Sequence, residues 1–204
     1  RGILLGLIPG VPPAEVVILG GGVAGMHAAR AFRGLGAHVT IIDNDMDVLQ
    51  RAAEYFRGVT TMMSTPKNIR KVTGFADVVI GAVYEPGQRC PILVSREMVR
   101  AMKPGSVIID LSIDMGGCVE TSRPTTHADP VFIEENVTHY CVPNISSVVA
   151  RTATHAFVNA AMPYILEMAN RGIQGAMDNN QAIKLSINTH AGELRHLSRK
   201  FNGK

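Results

Sequence analysis

A glycine turn between an apolar run and a helix constrains this chain more than any other feature. Residues 16–19 form a short β-branched run typical of a buried parallel strand, and GGGVAG follows directly at residues 20–25. In this G-x-G-x-x-G spacing, Gly20 permits the tight turn, Gly22 lets backbone N–H groups approach a pyrophosphate, and Gly25 lets the next helix pack close to the sheet. The spacing predicts a strand–turn–helix unit whose helix N-terminus binds phosphate.

An acidic residue follows the second strand of this unit. The strand is predicted over residues 39–42, and Asp43 comes directly after it. A carboxylate there accepts hydrogen bonds from both hydroxyls of an adenosine ribose and repels a 2′-phosphate. Neither Asn44 nor Asp45 supplies a positive charge for such a phosphate. The unit therefore predicts a dinucleotide site that prefers NAD(H) to NADP(H).

Strand-like apolar runs alternate with amphipathic helical segments along the rest of the chain. Further strands are predicted at residues 59–63, 76–81, 107–111 and 137–142, with helices at 47–56, 67–72 and 95–102. This alternation indicates an α/β fold, a doubly wound parallel sheet of the Rossmann type with right-handed crossovers.

The last part of the chain predicts helices rather than strands. A long C-terminal helix is predicted over residues 148–171, kinked at Pro163 and ended by Gly172, and a short one over 181–185. We expect three segments. Residues 1–14 are an entry segment from a substrate domain, residues 15–171 are the Rossmann domain, and residues 172–204 are a tail that returns toward the substrate domain. The first residue is not Met, and we interpret the chain as part of a longer protein.

Composition and charge argue against nucleic-acid binding, a membrane span and a zinc or disulfide site. A net charge of +3 without a lysine- or arginine-rich run does not indicate nucleic-acid binding, and the apolar stretches have the length of strands rather than of membrane spans. Three cysteines without C-x-x-C spacing predict reduced thiols in a cytoplasmic protein rather than a disulfide or zinc site: Cys90, Cys118 and Cys141. The histidines show no metal-binding spacing, and His139 is expected to be a core residue within a strand.

Two polar residues follow predicted strands, where open parallel sheets bind their ligands. Ser64 comes after the third strand, where its hydroxyl either meets an adenosine ribose or caps the following helix, or does both. Asp114 follows the fifth strand beside a flexible glycine pair. Position alone makes Asp114 a candidate functional residue.

Several longer blocks of sequence resemble a known family. These are residues 11–14, GGGVAG at 20–25, DVVIGAV at 77–83, MKPGSVIIDLSIDMGGCVETSRPTTH at 102–127, HYCVPN at 139–144 and ARTATHAFVNAAMPY at 150–164. Together they resemble the NAD-binding domain of the alanine dehydrogenase/pyridine nucleotide transhydrogenase family. The block at 102–127 is far more specific than the glycine motif.

Two positions distinguish the branches of this family. Transhydrogenase domains typically carry Gln-Asn before the glycine pair, where this chain has Asp114-Met115, and Asp-Leu-Pro-Gly where it has Pro143-Asn144-Ile145. The chain is therefore more similar to the alanine dehydrogenase branch, with the transhydrogenase module as the alternative. It departs from the frequent Asn-Met-Pro at one point, since Ile145 and Ser146 follow Asn144.

The resemblance implies an activity and a set of site residues. The activity is oxidative deamination of L-alanine to pyruvate and ammonium with NAD, in a cytoplasmic homo-oligomer that is commonly a hexamer. Asp114 and Asn144 are the implied catalytic residues, and the residues that grip the substrate lie in a preceding domain. The resemblance and the motif together give these cofactor-binding residues: Gly20, Gly22, Val23, Ala24, Gly25, Asp43, Ser64, Val83, Tyr84, Leu111, Asp114, Arg123, Val142, Asn144 and Ile145.

Overall fold

The computed structural model describes residues 2–195, and the chain divides into two compact units. Residues 2–85 and 89–143 form the first unit, and residues 86–88 and 144–195 form the second. The predicted boundary at 171/172 differs from this division. The long helix contacts the helix that follows it and the short turn that precedes it, so it belongs to the second unit. The entry segment belongs to the first unit, since Leu5 packs against the core residues Val16 and Ile18 of the first strand and their neighbours.

The first unit alternates strands and helices. The strands are β1 (Glu15–Leu19), β2 (His38–Asp43), β3 (Thr60–Met63), β4 (Val78–Gly81), β5 (Val107–Asp110), β6 (Val131–Glu134) and β7 (Val137–Tyr140). The helices are α1 (Val23–Gly34), α2 (Met46–Tyr55), α3 (Pro66–Phe75) and α4 (Arg96–Arg100), and a 3-10 helix covers Leu111–Met115. The predicted elements are present, with ends that differ by one to a few residues.

The strands form one seven-stranded sheet with the order β3-β2-β1-β4-β5-β7-β6. All neighbours are parallel except β6 and β7, which form an antiparallel hairpin at the edge. The doubly wound sheet is confirmed. Strand β6 was not predicted: it pairs through a turn in which Glu135 and Asn136 both have positive φ, 52° and 61°.

Helices cover both faces of the sheet. Val17, Leu19 and other residues of one face pack with α3 and α4, whereas Val16, Ile18 and other residues of the opposite face pack with α1 and α2. Successive strand residues point to opposite faces, so a strand buried on both sides is apolar throughout. This explains why the central strands read as continuous apolar runs rather than as alternating ones.

His139 is a buried core histidine, as predicted. Its Nδ1 lies 2.9 Å from the Val137 carbonyl, which only accepts, so Nδ1 carries the proton and Nε2 accepts from the Thr121 hydroxyl at 2.8 Å. The ring stacks on Phe132 with centroids 4.8 Å apart. Burial lowers the pKa of His139 from its ordinary value. The imidazole is therefore held in its neutral form.

We expect acidification to destabilise the first unit through His139. Because its folded pKa lies below the unfolded value of about 6.5, the unfolded state binds the proton first as the pH falls. The stabilisation is complete above about pH 6.5 and is lost below it, at most about 1.4 kcal/mol per pH unit, or roughly 3–5 °C in Tm. Thermal unfolding between pH 5 and 8 measures this slope in the wild type and in His139→Gln.

The Gln variant cannot bind the proton, so its Tm should vary less over this range. His155→Gln, at an exposed position of the second unit, is the matched control and should keep the wild-type slope. Parallel Tm curves for the wild type and His139→Gln would contradict the expectation.

The second unit is mainly helical. Helix α5 (Ala150–Asn179) follows a 3-10 turn at Ile145–Val149, and α6 (Gln181–Ser186) precedes a small hairpin of β8 (Thr189–His190) and β9 (Glu193–Leu194). The break in α5 lies at Gly172 (φ 67°, ψ 167°), while Pro163 sits inside the helix without non-helical dihedrals. Gly172 therefore interrupts the helix as predicted, but helical residues continue after it. Within residues 2–195, no helix is long and apolar enough to cross a membrane.

Candidate functional site

A cleft of about 650 Å³ lies at the carboxyl ends of the central strands of the first unit. Nine of the residues predicted to bind cofactor line it: Gly20, Gly22, Val23, Ala24, Asp43, Val83, Tyr84, Leu111 and Asp114. Other lining residues were not predicted, among them Val48, Glu85, Ser112 and Met115. The loops after β1, β2, β4 and β5 thus meet in one concave site, where open parallel sheets bind ligands.

The three motif glycines have the geometry that their predicted roles require. Gly20 has φ 98°, and a Cβ there would lie 2.4 Å from the Ala82 carbonyl oxygen. A Cβ on Gly25 would lie 1.8 Å from the Gly20 carbonyl oxygen, so the helix touches the turn at this point. A Cβ on Gly22 would meet no atom within 4 Å, which leaves the backbone open toward the cleft.

The N-terminus of α1 is available to an anion. Gly22 is its N-cap and has no side chain to cap it, and no acidic residue lies in the first turn. The first N–H groups of a helix have no acceptor within the helix, and they carry its partial positive charge. Val23 and Ala24, which line the cleft, begin this turn. The turn can therefore hold a phosphate by backbone hydrogen bonds.

Asp43 is fixed at the end of β2 by two backbone hydrogen bonds. Its Oδ2 accepts from the Gly21 N–H at 2.7 Å and its Oδ1 from the Asp45 N–H at 2.9 Å. A carboxylate oxygen has a second lone pair, so both oxygens can still accept from a ligand. Gly21 was given no role by the sequence, yet a Cβ there would lie 2.5 Å from Val48 Cγ1. The signal for Gly21 was the run of three consecutive glycines, of which it is the middle one.

Ser112 joins the loops that follow β4 and β5. Its Oγ accepts the Val83 N–H at 2.9 Å, and its hydroxyl donates to the Val83 carbonyl at 2.9 Å. The 3-10 helix that contains Ser112 also carries Asp114, which is exposed at the cleft. Asp114 therefore stands on an ordered helical turn that is tied to the loop after β4, rather than on a flexible loop.

The three cysteines are free thiols, as predicted, and the structure shows that all three are buried. A hydrogen bond between the thiols of Cys90 and Cys118 lowers the pKa of Cys90 and raises that of Cys118, which burial raises further. Burial also raises the pKa of Cys141. Among the residues that the structure describes, no group of three or more His, Cys, Asp or Glu is placed to hold a metal ion.

Ser64 lies beside the cleft, but it does not cap α3. It lines a small recess next to Gly20, Asp43 and Val83. The N-cap is Thr65, whose hydroxyl accepts the Asn68 N–H at 3.2 Å. Because Pro66 takes the first helical position, the residue directly before it becomes the cap, and that interpretation of Ser64 was wrong.

Besides Gly25 and Ser64, four residues predicted to bind cofactor do not line this cleft. The Arg123 guanidinium lies 4.0 Å from the centre of the Phe132 ring, which holds it over β6. Val142 is buried after β7. Asn144 and Ile145 belong to the second unit, where Asn144 has a left-handed backbone (φ 49°) before the 3-10 turn.

Comparison with known proteins assigns the chain to a family. The family model described as "Alanine dehydrogenase/PNT, C-terminal domain" matches residues 1–197. The chain belongs to this family. The matched range contains all the strands of the sheet and every residue of the cleft.

Members of the family are similar to the chain over nearly its whole length. Alanine dehydrogenase 2 of Staphylococcus aureus is 48% identical over 195 residues, which are 95% of this chain and 52% of that protein. A solved L-alanine dehydrogenase matches with a TM-score of 0.87 and 44% identity, over 96% of this chain and 54% of that one. The transhydrogenase from Sinorhizobium meliloti matches with a TM-score of 0.77 and 26% identity, over 96% of this chain and 54% of that one.

The chain spans about half the length of the curated relatives it matches. The family assignment therefore applies to a C-terminal domain, and the match covers the described cleft.

Proposed function

We propose that the chain is the NAD-binding domain of an NAD-dependent L-alanine dehydrogenase. The observation that carries the proposal is the cleft itself, in which the glycine turn, Asp43 and Asp114 line one space. The 44–48% identity to alanine dehydrogenases over nearly the whole chain supports the same reaction. That reaction is oxidative deamination of alanine to pyruvate and ammonium, and its reversal.

Each wall of the cleft has a proposed role toward NAD. The N-terminus of α1 binds the pyrophosphate through backbone N–H groups, and Gly22 leaves room for it. Asp43 accepts hydrogen bonds from the adenosine ribose hydroxyls. Val83, Tyr84 and Leu111 line the path between them and Asp114. Asp43, Asp45 and Glu85 give the cleft a negative charge that disfavours the 2′-phosphate of NADP.

Asp114 is the proposed catalytic carboxylate. NAD supplies a ring carbon that accepts the hydride from the substrate Cα. Removal of the hydride leaves an iminium, whose hydrolysis to pyruvate and ammonium requires proton transfers with water. An exposed carboxylate at the edge of the cleft can stabilise the positive charge and accept these protons. Asn144 is proposed to orient the nicotinamide ribose or the substrate.

The reaction also requires groups that hold the substrate. We propose that a preceding substrate domain supplies them, that residues 1–14 lead from it, and that residues 172–204 return toward it; residues 196–204 lie outside the described part. Hydride transfer depends on holding the two carbons in contact. The chain alone is therefore expected to bind NAD without oxidising alanine at the rate of the longer protein.

Self-association belongs to the same proposal. The enzyme is proposed to be a cytoplasmic homo-oligomer, a hexamer by family resemblance, that acts in amino-acid catabolism. Helix α5 supports an oligomer because several of its large apolar side chains are exposed in this chain: Phe157, Met162, Tyr164, Ile165 and Leu166. Free thiols support a reducing compartment.

A transhydrogenase module is the alternative function, with less support. The solved transhydrogenase is 26% identical, against 44% for the solved alanine dehydrogenase. The chain also has Asp114-Met115 and Asn144 where the transhydrogenase pattern has other residues. A longer protein that passes hydride between NAD and NADP and does not oxidise alanine would favour this alternative.

Titration of the natural full-length protein with NADH and NADPH tests the cofactor assignment. Asp43→Ala removes two charge-assisted hydrogen bonds to ribose, each worth about 1.5 kcal/mol or more, so NADH affinity should fall about 10²-fold. NADPH should bind the wild type about 10²-fold more weakly than NADH, and the variant should lose most of this preference. Calorimetry gives both dissociation constants.

Asp47→Ala is the matched control, since Asp47 is an exposed acid in the first turn of α2 that does not line the cleft. It should leave both affinities within about twofold, as expected for a site without shared contacts. Unchanged NADH binding in Asp43→Ala would contradict the ribose contact. An alanine assay on the same preparations tests the reaction, and a wild-type protein that binds NADH without oxidising alanine would reject the substrate.

A further inference from the structure

Asp110 is a buried carboxylate that the proposed reaction does not use. It is the last residue of β5, with 1% of its surface exposed, and it does not line the cleft. Burying a carboxylate is costly unless hydrogen bonds satisfy it. The partners of Asp110 therefore show what this carboxylate does in the fold.

The carboxylate joins both ends of the loop that carries Asp114. Its Oδ1 accepts the Ser112 N–H at 3.0 Å, at the start of the loop. Its Oδ2 accepts the N–H groups of Cys118 at 3.0 Å and Val119 at 3.3 Å, at the end of the loop. The Cys118 thiol also donates toward Oδ1 at 3.7 Å. Every one of these partners is a donor, which suits a carboxylate because it only accepts.

The backbone around Asp110 is shaped to admit its two oxygens. A Cβ on Gly81 would lie 2.8 Å from Oδ1, and a Cβ on Gly117 would lie 2.9 Å from Oδ2. Gly117 also has φ 79° and donates its N–H to the Ser112 carbonyl at 2.9 Å. The loop therefore closes tightly around the carboxylate, and it is anchored at the residues flanking Asp114.

Asp110 is also linked to the loop after β4. The Ser112 backbone N–H is held by Asp110, while the Ser112 side chain makes two hydrogen bonds to the backbone of Val83. Val83 and Asp114 both line the cleft. One buried group thus fixes two of the cleft walls relative to each other.

We propose that Asp110 is a positioning residue that holds Asp114 in place for the chemical step. The inference rests on the proposed function, because it assigns Asp110 a role through the proposed catalytic carboxylate. A positioning role differs from a purely structural role of Asp110 in one measurable respect. If Asp110 acts through Asp114, its replacement should matter to kcat only while Asp114 is intact.

A double-mutant cycle in the natural full-length protein tests this coupling. Asp110→Asn places an amide N–H₂ against donors, so the loop should shift and kcat should fall about 10²-fold. KM for alanine and the NADH dissociation constant, measured by nicotinamide fluorescence, should change far less than kcat. In the Asp114→Asn background, Asp110→Asn should lower kcat by less than about twofold.

Asp77→Asn is the matched control for lost stability. Asp77 is also a buried acid, and it accepts the Glu15 N–H at 2.9 Å and pairs with Lys103 at 3.0 Å. It lies directly before β4, at the end of the strand opposite to the cleft. The control should lower Tm while kcat stays within about twofold of the wild type.

The outcomes separate the inference from the proposed function. If the wild type oxidises alanine and the kcat losses of Asp110→Asn and Asp114→Asn multiply in the double variant, the positioning role is overturned and the proposed function stands. Equal kcat losses in Asp110→Asn and Asp77→Asn also overturn it. A wild type without alanine oxidation rejects the proposed function, and the catalytic role of this loop with it.

Discussion

Asp114→Asn in the natural full-length protein is expected to lower kcat for alanine oxidation by about 10²–10⁴-fold. The amide keeps the size of the side chain and some of its hydrogen bonds, but it neither accepts a proton nor carries the charge that stabilises an iminium. Asp114 stands at the edge of the cleft, exposed, on a turn held by Ser112 and Asp110. The dissociation constant of NADH should stay within about tenfold of the wild type, because the pyrophosphate and ribose contacts lie elsewhere.

Steady-state kinetics in the direction of alanine oxidation, with NADH binding measured on the same samples, gives both quantities. Asp129→Asn removes the same charge from an exposed acid before β6 and should leave kcat unchanged. A loss confined to KM would indicate that Asp114 binds substrate rather than taking part in the chemical step. Full activity in Asp114→Asn would contradict the catalytic role and favour a domain that only binds NAD.

The β1–α1–β2 unit could be predicted from the sequence because its determinants are local. The predicted roles of Gly20, Gly22 and Gly25 depend on a turn that begins and ends within a few residues, and the structure has the backbone geometry that these roles require. Asp43 follows its strand directly, so its place at the edge of the sheet needs only the parallel order of β1 and β2. Local patterns of this kind predict the part of the cleft that the glycine turn and Asp43 form.

The residues that were missed depend on contacts distant in sequence. Strand β6 was not predicted, and its pairing with β7 needs a turn with positive φ at Glu135, a residue that rarely adopts it. Asp110 is partnered by Cys118 and Val119, and Ser112 by Val83. No periodicity within β5 indicates these partners.

The surroundings of Arg123 also depend on a contact that the sequence does not indicate. The family resemblance implies that Arg123 binds cofactor, which stays a prediction, and in this structure its guanidinium packs on Phe132 of the unpredicted strand β6. The boundary between the two units also depends on packing rather than on a sequence pattern. Helix α5 is assigned to the second unit because it contacts α6 and the 3-10 turn before it.

Gly25→Ala is expected to cause the largest loss of cofactor binding among substitutions outside the polar residues of the site. The added methyl would lie 1.8 Å from the Gly20 carbonyl oxygen and 3.4 Å from Ile18 Cγ2. Both atoms belong to β1 or its turn, so the start of α1 has to move away from the sheet. The N–H groups that bind pyrophosphate move with it, and NADH affinity should fall by about 10²-fold or more. Overpacking of this kind also costs about 1–3 kcal/mol of stability, or roughly 3–10 °C in Tm.

Gly34→Ala separates this steric effect from the general effect of alanine in the helix. Gly34 is the last residue of α1, and a Cβ there would meet no atom within 4 Å. Alanine favours a helix by up to about 1 kcal/mol over glycine, so this variant should keep wild-type NADH affinity and a Tm equal to or above the wild type. Calorimetric titration and thermal unfolding of the two variants give the comparison. If Gly25→Ala bound NADH as Gly34→Ala does, contact between helix and turn would not be needed to hold the phosphate site, and binding would have to rest on Asp43 and the other walls of the cleft.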